Sequence, residues 1–232
     1  MNEKYFIMSK NNDNSQFYIL NSNQSYILPQ TNLKYHIDNG LFEKHLIDWS
    51  KQFCSRDKTF LDIGAHTGTY SIYLAPYSKQ VISFEPQKMT YYALCGSVAL
   101  SSLYNVTCHN FGLGSQEQVG INELKIRSVD GGGSSLHDLG DRILGTENIE
   151  IKTLDSLNLS DIGFIKMDVE NNELQVLKGG FNTIKKYKPV ILFEANSKEQ
   201  SLELFRYIKD ELNYNKIIGI SGVNNMFLAC ME

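Results

Sequence analysis

The sequence predicts an α/β protein. Seven strands form a mostly parallel sheet with one antiparallel strand, helices cover both faces, and a small β extension precedes the whole. Three observations predict it. From residue 59 onward, short apolar runs alternate with stretches of helical period, the pattern of strand–helix–strand units. The first such run ends in Asp62-Ile63-Gly64-Ala65-His66-Thr67-Gly68, a glycine turn that opens a strand tip toward a ligand. The last two runs, Lys216 to Ile220 and Met226 to Cys230, are joined by Ser221-Gly222-Val223-Asn224-Asn225, short enough to reverse the chain into a hairpin.

Taken in order, residues 1–38 hold Tyr/Phe/Ile-rich runs at Tyr5 to Met8, Phe17 to Leu20, Tyr26 to Leu28 and Lys34 to Ile37. Asn/Ser/Asp clusters separate them, with Asn11 to Ser15 as a turn, so they read as small strands of an N-terminal β extension. Residues 39–232 form the main domain. Leu41, Phe42, His45, Leu46, Trp49 and Phe53 fall on one helical face, which makes His45 a packing residue. Strands are expected at 59–63, 80–84, 105–110, 162–168 and 190–194, with helices over 69–77, 88–101, 172–186 and 198–211. Residues 111–152 are irregular, with strands near 119–127 and 149–152 around a glycine run. No linker marks a further domain.

The chemistry gathers at the strand tips Asp62, Glu85, Asn110, Asp168 and Glu194, all polar although the strands that feed them are apolar. The turn spacing, D-x-G-x-x-x-G, departs from the pyrophosphate fingerprint of dinucleotide enzymes. It suits a nucleoside with an amino-acid tail, which needs a carboxylate for its ammonium group and bare backbone beside its ribose. S-adenosyl-L-methionine is such a ligand. Glu85 follows Asp62 by 23 positions, where an acid takes a ribose diol in this architecture. Asn110 can meet the adenine amine and Phe111 can cover the ring; an ordinary turn with a core Phe explains them equally well.

Asp168, Glu170 and Glu173 place three acids within six residues where the fourth strand meets its helix. The helix dipole accounts for one of them. The segment Asp130-Gly131-Gly132-Gly133-Ser134-Ser135-Leu136-His137 reads as a mobile substrate lid or a plain connector. As a lid, it offers Ser134 and Ser135 to a polyol, and His137 as a base whose ordinary pKa is nearest neutrality.

Several runs together resemble the FkbM family of S-adenosylmethionine-dependent methyltransferases. They are D-I-G-A-H-T-G-T-Y-S, S-F-E-P-Q, L-D-S-L (Leu154 to Leu157), F-I-K-M-D-V-E-N-N-E-L-Q-V-L-K-G-G (Phe164 to Gly180) and K-P-V-I-L-F-E (Lys188 to Glu194). The resemblance spans about Asn39 to Glu194. It implies the class I methyltransferase (Rossmann-like) fold and, usually, O-methylation of sugars or natural-product hydroxyls. It also implies a cofactor lying over Asp62, Gly64, Gly68 and Glu85; His66, Tyr70, Pro86, Asn110, Phe111 and Asp168 are the further candidates for cofactor contact. Two positions depart from the pattern: His66 stands for the usual Asn, and Asn171 for the usual Gly. Both His and Asn donate hydrogen bonds, and Asn tolerates the left-handed backbone a glycine serves.

Asp168 or Glu170 is then the expected base for an acceptor hydroxyl, with His137 as the alternative. Should Asp168 instead hold the ammonium group, Glu170 or Glu194 takes that role. Glu194 and the two serines face the substrate. A Mg²⁺ ion on Asp168, Glu170 and Glu194 is a further option, although no resident metal is expected.

Composition narrows the classes. The net charge of −4 and pI near 5.8 argue against a general grip on nucleic acid, so RNA or cap methylation ranks below a small-molecule or glycan acceptor. A cofactor-binding partner subunit without catalysis is disfavoured by the intact acids. Cys54, Cys95, Cys108 and Cys230 lack metal or disulfide spacing, and no run suits a membrane span or signal core. A reducing, cytoplasmic setting is expected. The N-terminal strands can pack on their own sheet or on a second subunit, which leaves a homodimer open.

Overall fold

The computed structural model describes residues 6–7, 17–138, 140, 142–223 and 225–231. The Asn11–Ser15 turn lies outside them. Strands β1 (Phe6–Ile7), β2 (Phe17–Asn21) and β3 (Ser25–Pro29) pair antiparallel in that order. Alternate residues Tyr18, Leu20, Tyr26 and Leu28 are buried, as period two demands of a sheet with one covered face. They share a core with Leu46, Ile47, Phe60, Tyr70 and Leu74, so the extension packs on the main fold.

The run at Lys34 to Ile37 is not a strand. It lies in helix α1 (Leu33–Asn39), where only His36 is buried and Gly40 ends the helix at φ 75°. The helix expected from residue 39 begins later, as α2 (Lys44–Ser50), because Glu43 adopts the left-handed φ of 52°. Leu46, Ile47 and Ser50 form its inner face, while Phe42 and His45 are exposed. His45 is therefore no packing residue: the helical register starts at Lys44 and carries it outward.

Next come β4 (Thr59–Ile63), α3 (Thr69–Leu74), β5 (Gln80–Phe84), α4 (Lys88–Leu100) and β6 (Val106–His109). The 111–152 region folds into a second three-stranded sheet: β7 (Gly112–Leu113), β8 (Gly120–Ile126) and β9 (Gly145–Lys152), in the order β7-β9-β8. Then follow β10 (Ile162–Met167), α5 (Glu173–Gly179), α6 (Phe181–Tyr187), β11 (Val190–Glu194), α7 (Lys198–Arg206), β12 (Lys216–Gly219) and β13 (Met226–Cys230). The single helix expected over 172–186 is two, broken where Gly179 and Gly180 meet.

The main sheet runs β12-β13-β11-β10-β4-β5-β6, with β13 antiparallel to both neighbours. The chain winds outward from β4 through β5 to β6, and from β10 to β11 on the other side. The crevice at this switch point opens between the carboxyl ends of β4 and β10, where ligands bind open sheets. Side-chain parity fixes what enters it. Leu61 and Ile63 join one core, whereas Phe60 and Phe164 join the other. Asp62 and Lys166, directly paired across β4 and β10, must share the second face.

Candidate active site

The glycine turn is built by close approach. Gly64 sits at φ 76°, and a Cβ there would lie 1.8 Å from the Asp168 carbonyl oxygen. Gly68 sits at φ 89°, and its Cβ would meet Leu94 at 2.4 Å. Backbone N–H groups of Gly64 and Ala65 both donate to the Phe84 carbonyl at 3.0 Å, which ties the turn to the end of β5. Glu85 follows at that strand tip. Its two carboxylate oxygens accept from the backbone N–H of His66 and of Gln87, each at 2.8 Å. Burial nevertheless pushes its pKa up to about 7.

His66 adopts φ 52°, a left-handed conformation that an Asn would also accept. Its Nε2–H donates to the Asp130 carbonyl at 2.7 Å, and burial lowers its pKa, so the ring is a neutral strut. This bond pulls the glycine segment over the cavity. Thr31 donates to Asp130 Oδ2 at 3.1 Å, and Ser134 donates to Gln87 Oε1 at 3.1 Å. The segment is held at several points rather than hanging free.

Beneath the turn lies a buried polar row, Ser83–Asp62–Lys166, set side by side on β5, β4 and β10. Asp62 accepts from the Ser71 hydroxyl, and Ser71 meets Ser83 at 2.7 Å. Burial raises the Asp62 pKa, against the opposing charge of Lys166. Asp62 is 0% exposed and has no surface in the cavity, which corrects the expectation of direct contact with a ligand ammonium. Its parity turns it under the sheet, toward α3. One oxygen, Oδ1, is buried without a hydrogen-bond partner, an unmet demand for a donor at the base of the site.

Lys166, which sequence reasoning passed over, links the two walls. Its ammonium donates to the Gly64 carbonyl at 3.2 Å and pairs with Asp168 Oδ2 at 3.3 Å. Burial alone would lower its pKa; the charges of Asp168, Asp62 and Glu43 outweigh that and hold the ammonium above its ordinary value. Its signal was a lysine inside an apolar strand, two positions before an acid and so on the same face. Met167 pairs with Phe193, so Asp168 and Glu194 leave neighbouring strands together. Glu170 and Asn171 follow at φ 52° and 75°, the left-handed geometry expected of position 171. Carboxylate oxygens of Asp168, Glu170 and Glu194 lie within 4.8 Å of one another. Burial first, and then the Asp168 charge, raise the pKa of both Glu170 and Glu194, the latter to about 8. Three carboxylates this close suit a shared proton or a hard divalent cation.

These groups line one cavity of about 380 Å³, within the range of small-ligand sites. Gly64, His66, Tyr70, Glu85, Pro86, Ser134, Asp168, Glu170 and Glu194 border it, as expected. Gly68 does not; it packs against Leu94 and gives α3 its start. Asn110 and Phe111 also lie elsewhere: the Asn110 amide donates to the carbonyls of Glu85 and Pro86, and Phe111 is buried against Phe84. Ser135 donates to the Glu170 carbonyl at 2.6 Å and His137 pairs with Asn172 at 3.3 Å, so both hold the segment in place instead of facing a substrate. His36, Phe42 and Glu43 from the α1–α2 region complete the lining, a contribution no local motif announced.

The sequence matches the FkbM methyltransferase domain over residues 62–216, more than half of the chain and inclusive of every strand-tip acid above. The chain belongs to the FkbM methyltransferase family. Its matched segment is a methyltransferase domain, and S-adenosyl-L-methionine is the cofactor. The site fits that group: a bare glycine turn, an acid at the second strand tip and sufficient volume. No curated protein matches this FkbM chain in sequence.

Among solved structures it resembles the methyltransferase FkbM from Methylobacillus flagellatus, at 20% identity and TM-score 0.56 over 75% of this chain. It spans only 44% of that protein's length. An rRNA methylase from Streptococcus thermophilus matches at 12% identity and TM-score 0.50, covering 82% of this chain and 96% of that one. A precorrin-8w decarboxylase from Methanobacterium thermoautotrophicum matches at 13% and 0.51, covering 82% and 90%. These likenesses show the class I methyltransferase fold. No helix among the described residues is long and apolar enough to cross a membrane.

Proposed function

We propose that this FkbM protein is an O-methyltransferase acting on a sugar hydroxyl, in a free sugar, a nucleotide-linked sugar or a glycan. The observation that carries the reading is the carboxylate group Asp168–Glu170–Glu194 lining the cavity beside the glycine turn. An alkyl hydroxyl is a poor nucleophile until its proton is leaving, and a positioned base contributes about 10²–10⁴-fold. S-adenosyl-L-methionine supplies an electrophilic methyl group when bound.

Glu85 and the turn at Gly64 are assigned to hold the nucleoside. Glu194 is assigned the base, because its pKa of about 8 brings it nearer to the hydroxyl's than an ordinary carboxylate. Lys166 keeps Asp168 paired, and the Asp168 charge in turn raises Glu194. Asp168 thus tunes the base and is not itself the base first expected; Glu170 adds a second carboxylate for acceptor hydroxyls. The strap from Asp130 to Ser134 limits water access over the same cavity. With a net charge of −4 the chain favours a small molecule or glycan over nucleic acid as partner.

The test is calorimetric titration with S-adenosylhomocysteine, followed by a methyl-release screen over sugars, sugar nucleotides and RNA. Donor binding with RNA as the sole acceptor would refute the reading. The spacing within 4.8 Å also favours a second version, in which a divalent cation on the three carboxylates lowers the hydroxyl pKa. Activity abolished by EDTA and restored by Mg²⁺ would establish that version; unchanged activity would remove it.

A further inference from the structure

The wall contributed by α1 and α2 carries a feature that methyl transfer alone does not require. Phe42 lines the cavity and yet is 59% exposed. Tyr35 stands beside it, 41% exposed, with ring centroids 5.4 Å apart and planes tilted by 59°. Tyr35 in turn meets the buried His36 edge-on at 5.6 Å, and His36 is anchored by the Tyr18 hydroxyl. This is a backed aromatic ledge at the mouth of a polar cavity, and exposed apolar surface at such a place marks a ligand groove.

Glu43 stands next to Phe42 in the chain. It adopts a left-handed φ of 52°, a strained conformation for a non-glycine residue that gathers at functional positions. Its Oε2 accepts from the Tyr70 hydroxyl at 3.0 Å, while Oε1 accepts no bond from the described residues. An apolar ring face beside a free carboxylate oxygen matches a pyranose, whose C–H face is apolar and whose hydroxyls donate at the edge.

Charge narrows the ligand further. Glu43, Glu85, Asp130, Asp168, Glu170 and Glu194 border the cavity, and Lys166 is the one lysine or arginine among the described residues lining it. That ammonium is already committed to Asp168 and the Gly64 carbonyl. Burial lowers the pKa of His36, to about 4, and of His66, so neither ring supplies a cation near neutrality. A phosphate entering here meets acids and no available partner.

We propose that the acceptor is an uncharged pyranoside, its ring laid on Phe42 and a hydroxyl bonded to Glu43, and not a sugar carrying phosphate. This deepens the sugar reading above and rests on it. The full chain would be assayed with S-adenosylmethionine against methyl hexopyranosides and methyl 6-deoxyhexopyranosides, alongside the corresponding nucleoside-diphosphate sugars. Wild type and F42A, F42W and E43Q variants would be compared, with S-adenosylhomocysteine affinity measured for each.

The expected result is methylation of at least one neutral glycoside in preference to its nucleotide-linked form. F42A should raise KM for that glycoside about 3- to 10-fold, F42W should restore it, and donor affinity should stay unchanged. E43Q should raise KM as well. Preference for the sugar nucleotide, or F42A kinetics equal to wild type on a good acceptor, would overturn the proposal while leaving the sugar reading standing. Donor binding with no saccharide methylated in either set would overturn both.

Discussion

On the β4–β5 side the cavity is shaped by a bare backbone turn at Gly64, with Glu85 clamped by two main-chain N–H groups. From β10, β11 and the α1–α2 region come side chains: three crowded carboxylates, an exposed phenyl ring and a strained glutamate. Under the proposed roles, this difference lets one fold keep a cofactor and change an acceptor. A wall of backbone leaves little to vary, since almost any Cβ at Gly64 collides. A wall of side chains can be rewritten one residue at a time without moving a strand.

The sharpest way to break this contrast is Glu194→Gln. If the side-chain wall carries the chemistry, kcat/KM should fall about 10²–10⁴-fold with donor affinity retained. In wild type the rate should rise with pH through about 8 as Glu194 ionises, and that step should vanish in the variant. A loss confined to donor affinity would move Glu194 to the other wall.

Glu173 sharpens the comparison from outside the cavity. It is buried at the start of α5, accepts the Val169 N–H at 3.1 Å, and burial pushes its pKa up to about 7. A pKa raised by folding means stability that is whole below the unfolded value near 4.5 and is lost as pH climbs through about 7. The loss amounts to about 3 kcal/mol. Glu173→Gln should therefore raise the melting temperature at pH 8, change it little at pH 4.5, and leave turnover intact. Lost activity would show that the charge at 173 serves the reaction too.

Gly64→Ala probes the backbone wall. A left-handed alanine costs roughly 1–2 kcal/mol before its collision with the Asp168 carbonyl is counted, so melting should drop by about 4 °C or more. S-adenosylhomocysteine affinity should fall with it, while pH dependence keeps its shape. The smallest effect is expected at His137, which pairs with Asn172 away from the cavity. His137→Ala should alter kcat/KM by less than about 3-fold, far below the loss expected of a base. A deficit approaching that of Glu194→Gln would reinstate the imidazole as base.

Much of this was legible along the chain because it depends on local spacing. Apolar runs and turn residues gave seven strands in their order, and the strand-tip acids followed. The misses were of another kind. Lys34 to Ile37 has strand-like composition but folds as α1 once Gly40 caps it. His137 and Ser135 carry reactive groups, yet those groups are taken up by Asn172 and the Glu170 carbonyl. Asn110 sits at a strand tip and turns its amide back onto the chain.

By itself, then, the sequence determined the alternating fold, the glycine turn, the acid at 85 and the acidic cluster after β10, all set by periodicities of two and 3.6 residues within short stretches. Only the tertiary structure decided that Asp62 lies beneath the site and Lys166 between the walls. It also decided that Glu194 leans on Asp168, and that Phe42 and Glu43 line the same cavity. Those relations depend on strand register and on the docking of segments more than a hundred residues apart. Desolvation, which raises the pKa of Glu194, arises only when those segments meet.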